Sequence, residues 1–177
     1  MKVRPLEKNW ASEYADALLT AYYPGQEGGN AIADVLFGDY NPSGRLPISV
    51  PRSVGQIPVY YNQKAPRNHD YVEVSSSPLY SFGYGMSYTT FEYSDLQVVQ
   101  KSARCFEVSF KVKNTGKYDG EEVSQLYMRD EYASVVQPMK QLKHFERFHL
   151  KKRRREKKLL FVLTEEDFFL VNYTLKK

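Results

Sequence analysis

Five acidic residues in the first half of the chain, Glu27, Asp34, Asp39, Asp70 and Glu73, could supply the two carboxylates that hydrolysis of a glycosidic bond requires, held roughly 5 to 10 Å apart. None has a local context that separates a catalytic acid or nucleophile from a surface acid, so no catalytic residue is assigned. His69, Asp70 and Tyr71 are consecutive in a polar stretch. A His-Asp pair can orient a substrate hydroxyl and a tyrosine ring can stack on a sugar face, which makes these three the candidate substrate-binding residues. The histidines at 69, 144 and 149 give no HExxH-type spacing, and Cys105 is the single cysteine. A thiolate zinc site and an internal disulfide are both excluded, and neither a metal nor a cofactor is expected.

Other motifs read mainly as structure. PGQEGGNA at Pro24 to Ala31 places glycines before a helix start, yet it lacks both the phosphate-binding loop and the dinucleotide fingerprint, so a tight turn is expected. Gly83-Tyr84-Gly85 is a weaker signal of the same kind. Cys105 has no neighbouring base and reads as a small strand residue. Asn172-Tyr173-Thr174 fits the glycosylation pattern, which is frequent by chance. KKRRREKK at Lys151 to Lys158 holds seven of the 25 basic residues and one of the 21 acids. Without it the chain carries 18 basic and 20 acidic residues, so the body of the protein is not basic. Such a run suits a phosphate backbone, but no recognition helix or stacking platform accompanies it. It is expected to be a solvated turn between strands or damaged coding sequence, with no nucleic acid as partner.

The elements that must position these residues fall into two kinds. A chain of 177 residues with 42% hydrophobic and 26% charged residues is globular in composition and has room for one ordinary domain or two small ones. It is too short for a complete (β/α)₈ barrel. No stretch of about 18 apolar residues occurs, so no membrane span is expected, and the first ten residues lack the apolar core of a secretory signal. Ala15 to Tyr22 reads as a buried strand, followed by the Gly-rich turn. Ala31, Ile32, Val35 and Leu36 then fall at helical spacing before a Gly38 cap, and Arg45 to Val50 reads as a second strand ending at Pro51. Gly55 to Met86 is rich in Pro, Ser, Asn and Tyr and reads as a long loop or linker. Its rings Tyr60, Tyr61, Tyr71, Tyr80 and Tyr84 could stack on sugars or cover a seam.

Beyond the linker the pattern has period two. Phe106, Val108, Phe110 and Val112 alternate with polar residues up to the turn Asn114-Thr115-Gly116. Val123 to Met128, Leu142 to Leu150 and Leu159 to Leu163 supply further strands. The expected fold is α+β overall: a partial α/β sandwich remnant at 1–54, a linker at 55–86, and an immunoglobulin-like β-sandwich at 87–177. About five or six strands are visible where seven would complete it.

Pro24 to Pro51, PGQEGGNAIADVLFGDYNPSGRLPISVP, resembles the C-terminal region of the family 3 glycoside hydrolases, the β-glucosidase and β-xylosidase family. PLYSFGYGMSYTTFEYSDL at Pro78 to Leu96 resembles that family's entry to its last domain. VKNTGKYDGEEVSQLYMRD and QLKHFERFHL resemble its fibronectin type III-like domain.

The resemblance implies a parent with a barrel carrying a nucleophilic Asp, an αβα sandwich domain supplying the acid/base Glu, and the fibronectin-like domain. The parent activity it implies is retaining, exo-acting hydrolysis through a covalent glycosyl-enzyme intermediate. Neither catalytic carboxylate can be carried onto a position of this chain. The expected partners are therefore the parent's barrel and the earlier part of its sandwich domain, with a β-linked oligosaccharide as ligand. The family is often periplasmic or secreted, and the localisation of this chain stays open. Two departures stand out: KKRRREKKLL replaces a Pro-Gly-Glu-type turn, and the chain ends near VNYTLKK where the family continues into a last strand. The expectation is a structural gene fragment, its sandwich lacking the closing strand and its residues 1–54 not folding alone. The alternative is a stand-alone carbohydrate-binding or interaction module.

Overall fold

The computed structural model describes residues 8–64, 74–133, 135–153 and 155–169. These divide into two compact units: Met1–Tyr40 with Gly44–Met86, and Asn41–Ser43 with Ser87–Lys177.

The first unit holds two helices, α1 (Asn9–Tyr14) and α2 (Gly28–Phe37), and a 3₁₀ turn at Val54–Gln56. Helix α2 forms where the spacing of Ala31, Ile32, Val35 and Leu36 predicts it. It ends at Gly38, whose φ of 88° is left-handed and whose N–H caps the Val35 carbonyl, a conformation that glycine adopts without steric cost. Helix α1 was not expected. Its signal was Trp10 and Tyr14 four residues apart, whose rings meet at 5.5 Å as i, i+4 neighbours do.

Neither expected strand of this unit forms. Ala15 to Tyr22 is not part of any ladder, and Leu18 and Leu19 are exposed. An apolar run becomes a buried strand only when neighbouring strands bond its edges, and no described residue does so. Arg45 to Val50 pairs instead with the returning limb of the supposed linker. Leu46 N donates to Tyr84 O and Gly83 N to Leu46 O, both at 2.8 Å, and Val50 N donates to Tyr80 O at 2.8 Å. Between these two limbs Val50 and Tyr80 reach bridge geometry.

The second unit is a β-sandwich, as the alternating pattern predicts. One sheet orders β1 (Phe91–Ser102), β2 (Cys105–Asn114) and β5 (Glu156–Leu163) as β1-β2-β5, and the other pairs β3 (Gly120–Met128) with β4 (Gln141–Leu150). All pairings are antiparallel. Val108, Phe110 and Val112 of β2, Leu159, Phe161 and Leu163 of β5, and Phe148 and Leu150 of β4 form the core. Phe91, Phe106 and Leu126 pack at its margin.

Strand β1 escaped the period-two reading because its parity changes midway. Phe91 and Tyr93 pair with Asn114 and Val112, whereas Val98 and Gln100 pair with Val108 and Phe106. The inward set thus switches from odd to even numbers across a bulge between Ser94 and Gln97, where Asp95 has a φ of 55°. Lys111 Nζ reaches Asp95 Oδ2 at 2.9 Å. This hydrogen bond, then the charge of Asp95, then that of Glu156, raises the Lys111 pKa above its ordinary value. Val98 shares the inner face with Val108 yet is 61% exposed, because the opposing sheet has two strands among the described residues.

Candidate functional site

The Gly-rich turn folds on itself. Gly28 N donates to Gly25 O at 3.2 Å, Ala31 N to Glu27 O at 3.0 Å, and Asn30 Nδ2 to Glu27 Oε2 at 2.8 Å. A Cβ on Gly28 would lie 2.6 Å from Pro24 Cγ, so glycine is required here by close packing. Glu27, Asp34 and Asp39 are exposed on α2 and its flanks, and the Glu27 carboxylate is engaged by Asn30. Asp70, Glu73 and the substrate-binding candidates His69, Asp70 and Tyr71 lie outside the described residues, as does the Asn172-Tyr173-Thr174 motif. No group of three or more His, Cys, Asp or Glu side chains able to hold a metal occurs among the described residues.

The tyrosines divide by environment. Tyr61 stacks on Phe82 at 4.4 Å and Tyr80 on Tyr84 at 5.1 Å, with Tyr80 Oη 2.7 Å from Ser12 Oγ. Tyr60 and Tyr84 keep an exposed face, and stacking on a sugar requires such a face.

In the second unit the polar groups that sequence reading passed over are three knots. Asn114 is fully buried and uses its whole side chain. Its Oδ1 accepts from Thr89 Oγ1 at 2.7 Å and Gly116 N at 3.0 Å, and its Nδ2 donates to Tyr118 O at 2.9 Å and Leu150 O at 3.1 Å. Tyr93 of β1 reaches across the sandwich to Glu122 Oε1 at 2.9 Å and Ser124 Oγ at 3.0 Å, both residues of β3 being buried. Asn41 and Ser43 form the third. Asn41 Oδ1 accepts from Ser87 Oγ and Tyr88 N, both at 2.8 Å, while its Nδ2 donates to Asp119 O at 2.8 Å. Arg147 of β4 bridges Glu121 and the buried Ser43 hydroxyl, the latter at 2.9 Å. The sequence signal is the Asn-Pro-Ser turn Asn41-Pro42-Ser43. Every one of these polar groups is occupied by its neighbours, which makes the knots braces rather than reacting groups.

The basic run also resolves into structure. Lys151, Lys152, Arg153 and Arg155 lie between β4 and β5, and Glu156 to Lys158 begin β5, as a turn between strands predicts. Lys157 is drawn inward, bonding Glu146 Oε1 at 2.5 Å with its ammonium 4.9 Å from the Phe148 ring centroid.

The described residues form a small helical unit followed by a β-sandwich. Residues 1–88 match the glycosyl hydrolase family 3 C-terminal domain and residues 122–177 match the fibronectin type III-like domain. The chain belongs to glycoside hydrolase family 3, as part of its C-terminal region. It is 49% identical over 166 residues to the periplasmic beta-glucosidase of Salmonella typhimurium, covering 85% of this chain and 22% of that one. A beta-xylosidase of Formosa agariphila is 40% identical, with 98% of this chain and 25% of that one covered. Among solved structures, a β-glucosidase from Erythrobacter marinus superposes with a TM-score of 0.91 at 43% identity, over 98% of this chain and 23% of that one. The beta-glucosidase of Listeria innocua in complex with glucose superposes with a TM-score of 0.89 at 40% identity, over 98% of this chain and 26% of that one. The chain thus spans about a quarter of the length of the relatives it matches.

Proposed function

We propose that the chain is the structural C-terminal portion of a retaining glycosidase that removes terminal β-linked glucose or xylose. The carrying observation is that the likeness runs unbroken through both units while covering about a quarter of each relative. The domain limits that follow from this reading are 1–54 for the end of the αβα sandwich, 55–86 for the connecting segment, and 87–177 for the fibronectin-like domain. The exposed apolar surface of the first unit supports it. Trp10, Tyr14, Leu36 and Phe37 are all exposed, Phe37 at 84%, and an apolar face of this kind is normally covered by further structure. The covering partner would be the barrel and the earlier sandwich strands of the parent.

In this reading the nucleophile and the acid/base lie in that partner, and the chain contributes rigidity. His69, Asp70 and Tyr71 would contribute contacts to a β-linked oligosaccharide at its margin. The test is an assay of the purified 177-residue protein on aryl β-glucosides and aryl β-xylosides. No turnover above buffer is expected, because two positioned carboxylates are needed. Enzyme-like turnover, retained after repurification, would sink the proposal.

Exposed Tyr60 and Tyr84 favour a second reading, a stand-alone sugar-binding module. It predicts heat on calorimetric titration with cello- and xylo-oligosaccharides. Silence at millimolar sugar rejects it.

A further inference from the structure

The turn between β4 and β5 is built more firmly than a solvated connection needs. Its backbone is pinned at two points, Lys152 N donating to Asp119 Oδ1 at 2.8 Å and Arg155 O accepting from Asn114 N at 2.9 Å. The second turn at this end of the sandwich, between β2 and β3, is tied to the first through one nitrogen. Asn114 Nδ2 donates to both Tyr118 O and Leu150 O. Lys117, Lys151, Lys152, Arg153 and Arg155 are all exposed there. Among the described residues the ion pairs of the second unit engage Lys101, Arg104, Lys111, His144, Arg147 and Lys157, and none of these five cations. Two acids lie beside them, Asp119, whose Oδ1 accepts the Lys152 amide, and Glu156 at the start of β5, so the five cations stay in excess. Tyr118 stands among the cations with its side chain 60% exposed.

We propose that this end of the β-sandwich, Tyr118 with Lys117, Lys151, Lys152, Arg153 and Arg155, is a docking surface for an acidic polysaccharide. Its ligand chemistry is a chain of sugar rings bearing carboxylate or sulfate groups. An exposed ring offers a stacking face for a pyranose, and cations held on a fixed turn around it match anions repeated along a polymer. Nucleic acid would bind the same cations through counterion release. The β-sandwich unit has no helix among its described residues except the 3₁₀ turn Glu165–Phe168, so no recognition helix accompanies the cations, and DNA is kept as the competing outcome of the test. The assignment of a sugar polymer rests on the family reading given above.

The full chain is run through gels containing sodium polygalacturonate, dextran sulfate or neutral dextran, and is titrated with a short DNA duplex. Retardation by one or both acidic glycans and none by neutral dextran is expected, weakening steeply with salt. The triple variant Lys151→Gln, Lys152→Gln, Arg155→Gln should lose affinity at least tenfold. Arg153 is kept in this variant because its φ of 67° shapes the turn. Tyr118→Ala should lose several-fold for the glycan and nothing for DNA. If the triple variant does not fold, Lys151→Gln with Lys152→Gln changes only two exposed side chains and should still weaken binding several-fold.

No retardation by either acidic glycan would overturn the proposal. So would unchanged binding by folded charge variants, or DNA binding as tight as glycan binding with Tyr118→Ala affecting neither. Any of these results leaves the family membership untouched. Conversely, glycosidase turnover by the isolated chain would leave the gel result standing, so the two readings fail separately.

Discussion

Replacing Asn114 with alanine is expected to destabilise the β-sandwich unit by on the order of 4 kcal/mol, a large share of the roughly 5 to 15 kcal/mol that holds an ordinary domain folded. The side chain is fully buried and holds four partners: the Thr89 hydroxyl, the Gly116 amide, and the carbonyls of Tyr118 and Leu150. Removing it strands the buried Thr89 hydroxyl and Leu150 carbonyl and frees the part-buried Gly116 amide and Tyr118 carbonyl, and each buried polar group left unpaired costs about 1 to 3 kcal/mol before relaxation. Asn114→Asp keeps the oxygen that accepts from Thr89 and Gly116 but turns a second oxygen toward two carbonyls, so it should also be destabilising. Urea unfolding followed by circular dichroism at the β-sheet band checks both. Wild-type midpoints for Asn114→Ala would show that the knot carries no weight.

Leu159→Ala should cost about 3 kcal/mol, while Leu160→Ala, one residue on, should cost less than about 1 kcal/mol. Leu159 is 1% exposed and sits in the core cluster with Phe110 and Phe161, whereas Leu160 points to the outer face of the same strand and is 52% exposed. The two substitutions remove the same atoms, so the difference isolates burial and the cavity left behind. It also tests the register, since Phe110 pairs with Leu159 and Ser109 with Leu160. A one-residue slip would exchange the two phenotypes. Equal effects would contradict the register.

Much of the sandwich was legible in the sequence where each strand keeps one parity throughout. Cys105 to Asn114 alternates without interruption, and the structure places Val108, Phe110 and Val112 in the core. Phe91 to Ser102 was not legible, because the bulge at Asp95 splits one strand into two half-patterns of opposite parity. The first unit misled for a different reason. Apolar runs such as Ala15 to Tyr22 record burial against something, and a sequence does not say whether that partner is present in the same chain. Long-range polar knots were the least legible: Arg147 meets Ser43 across 104 positions, and no local pattern announces such a pair. The basic turn was legible as a turn. Its proximity to Tyr118 was not, because a single buried Asn114 nitrogen joins the two turns.

The most direct test of the structural role is a chimera in which this chain replaces the matching C-terminal segment of the Salmonella typhimurium β-glucosidase, to which it is 49% identical. If the chain is a working C-terminal portion, the chimera folds and hydrolyses an aryl β-glucoside, and Leu159→Ala within it lowers the thermal midpoint of that activity. A chimera that folds to the native melting profile yet shows no turnover, with the parent enzyme active beside it, would contradict the account.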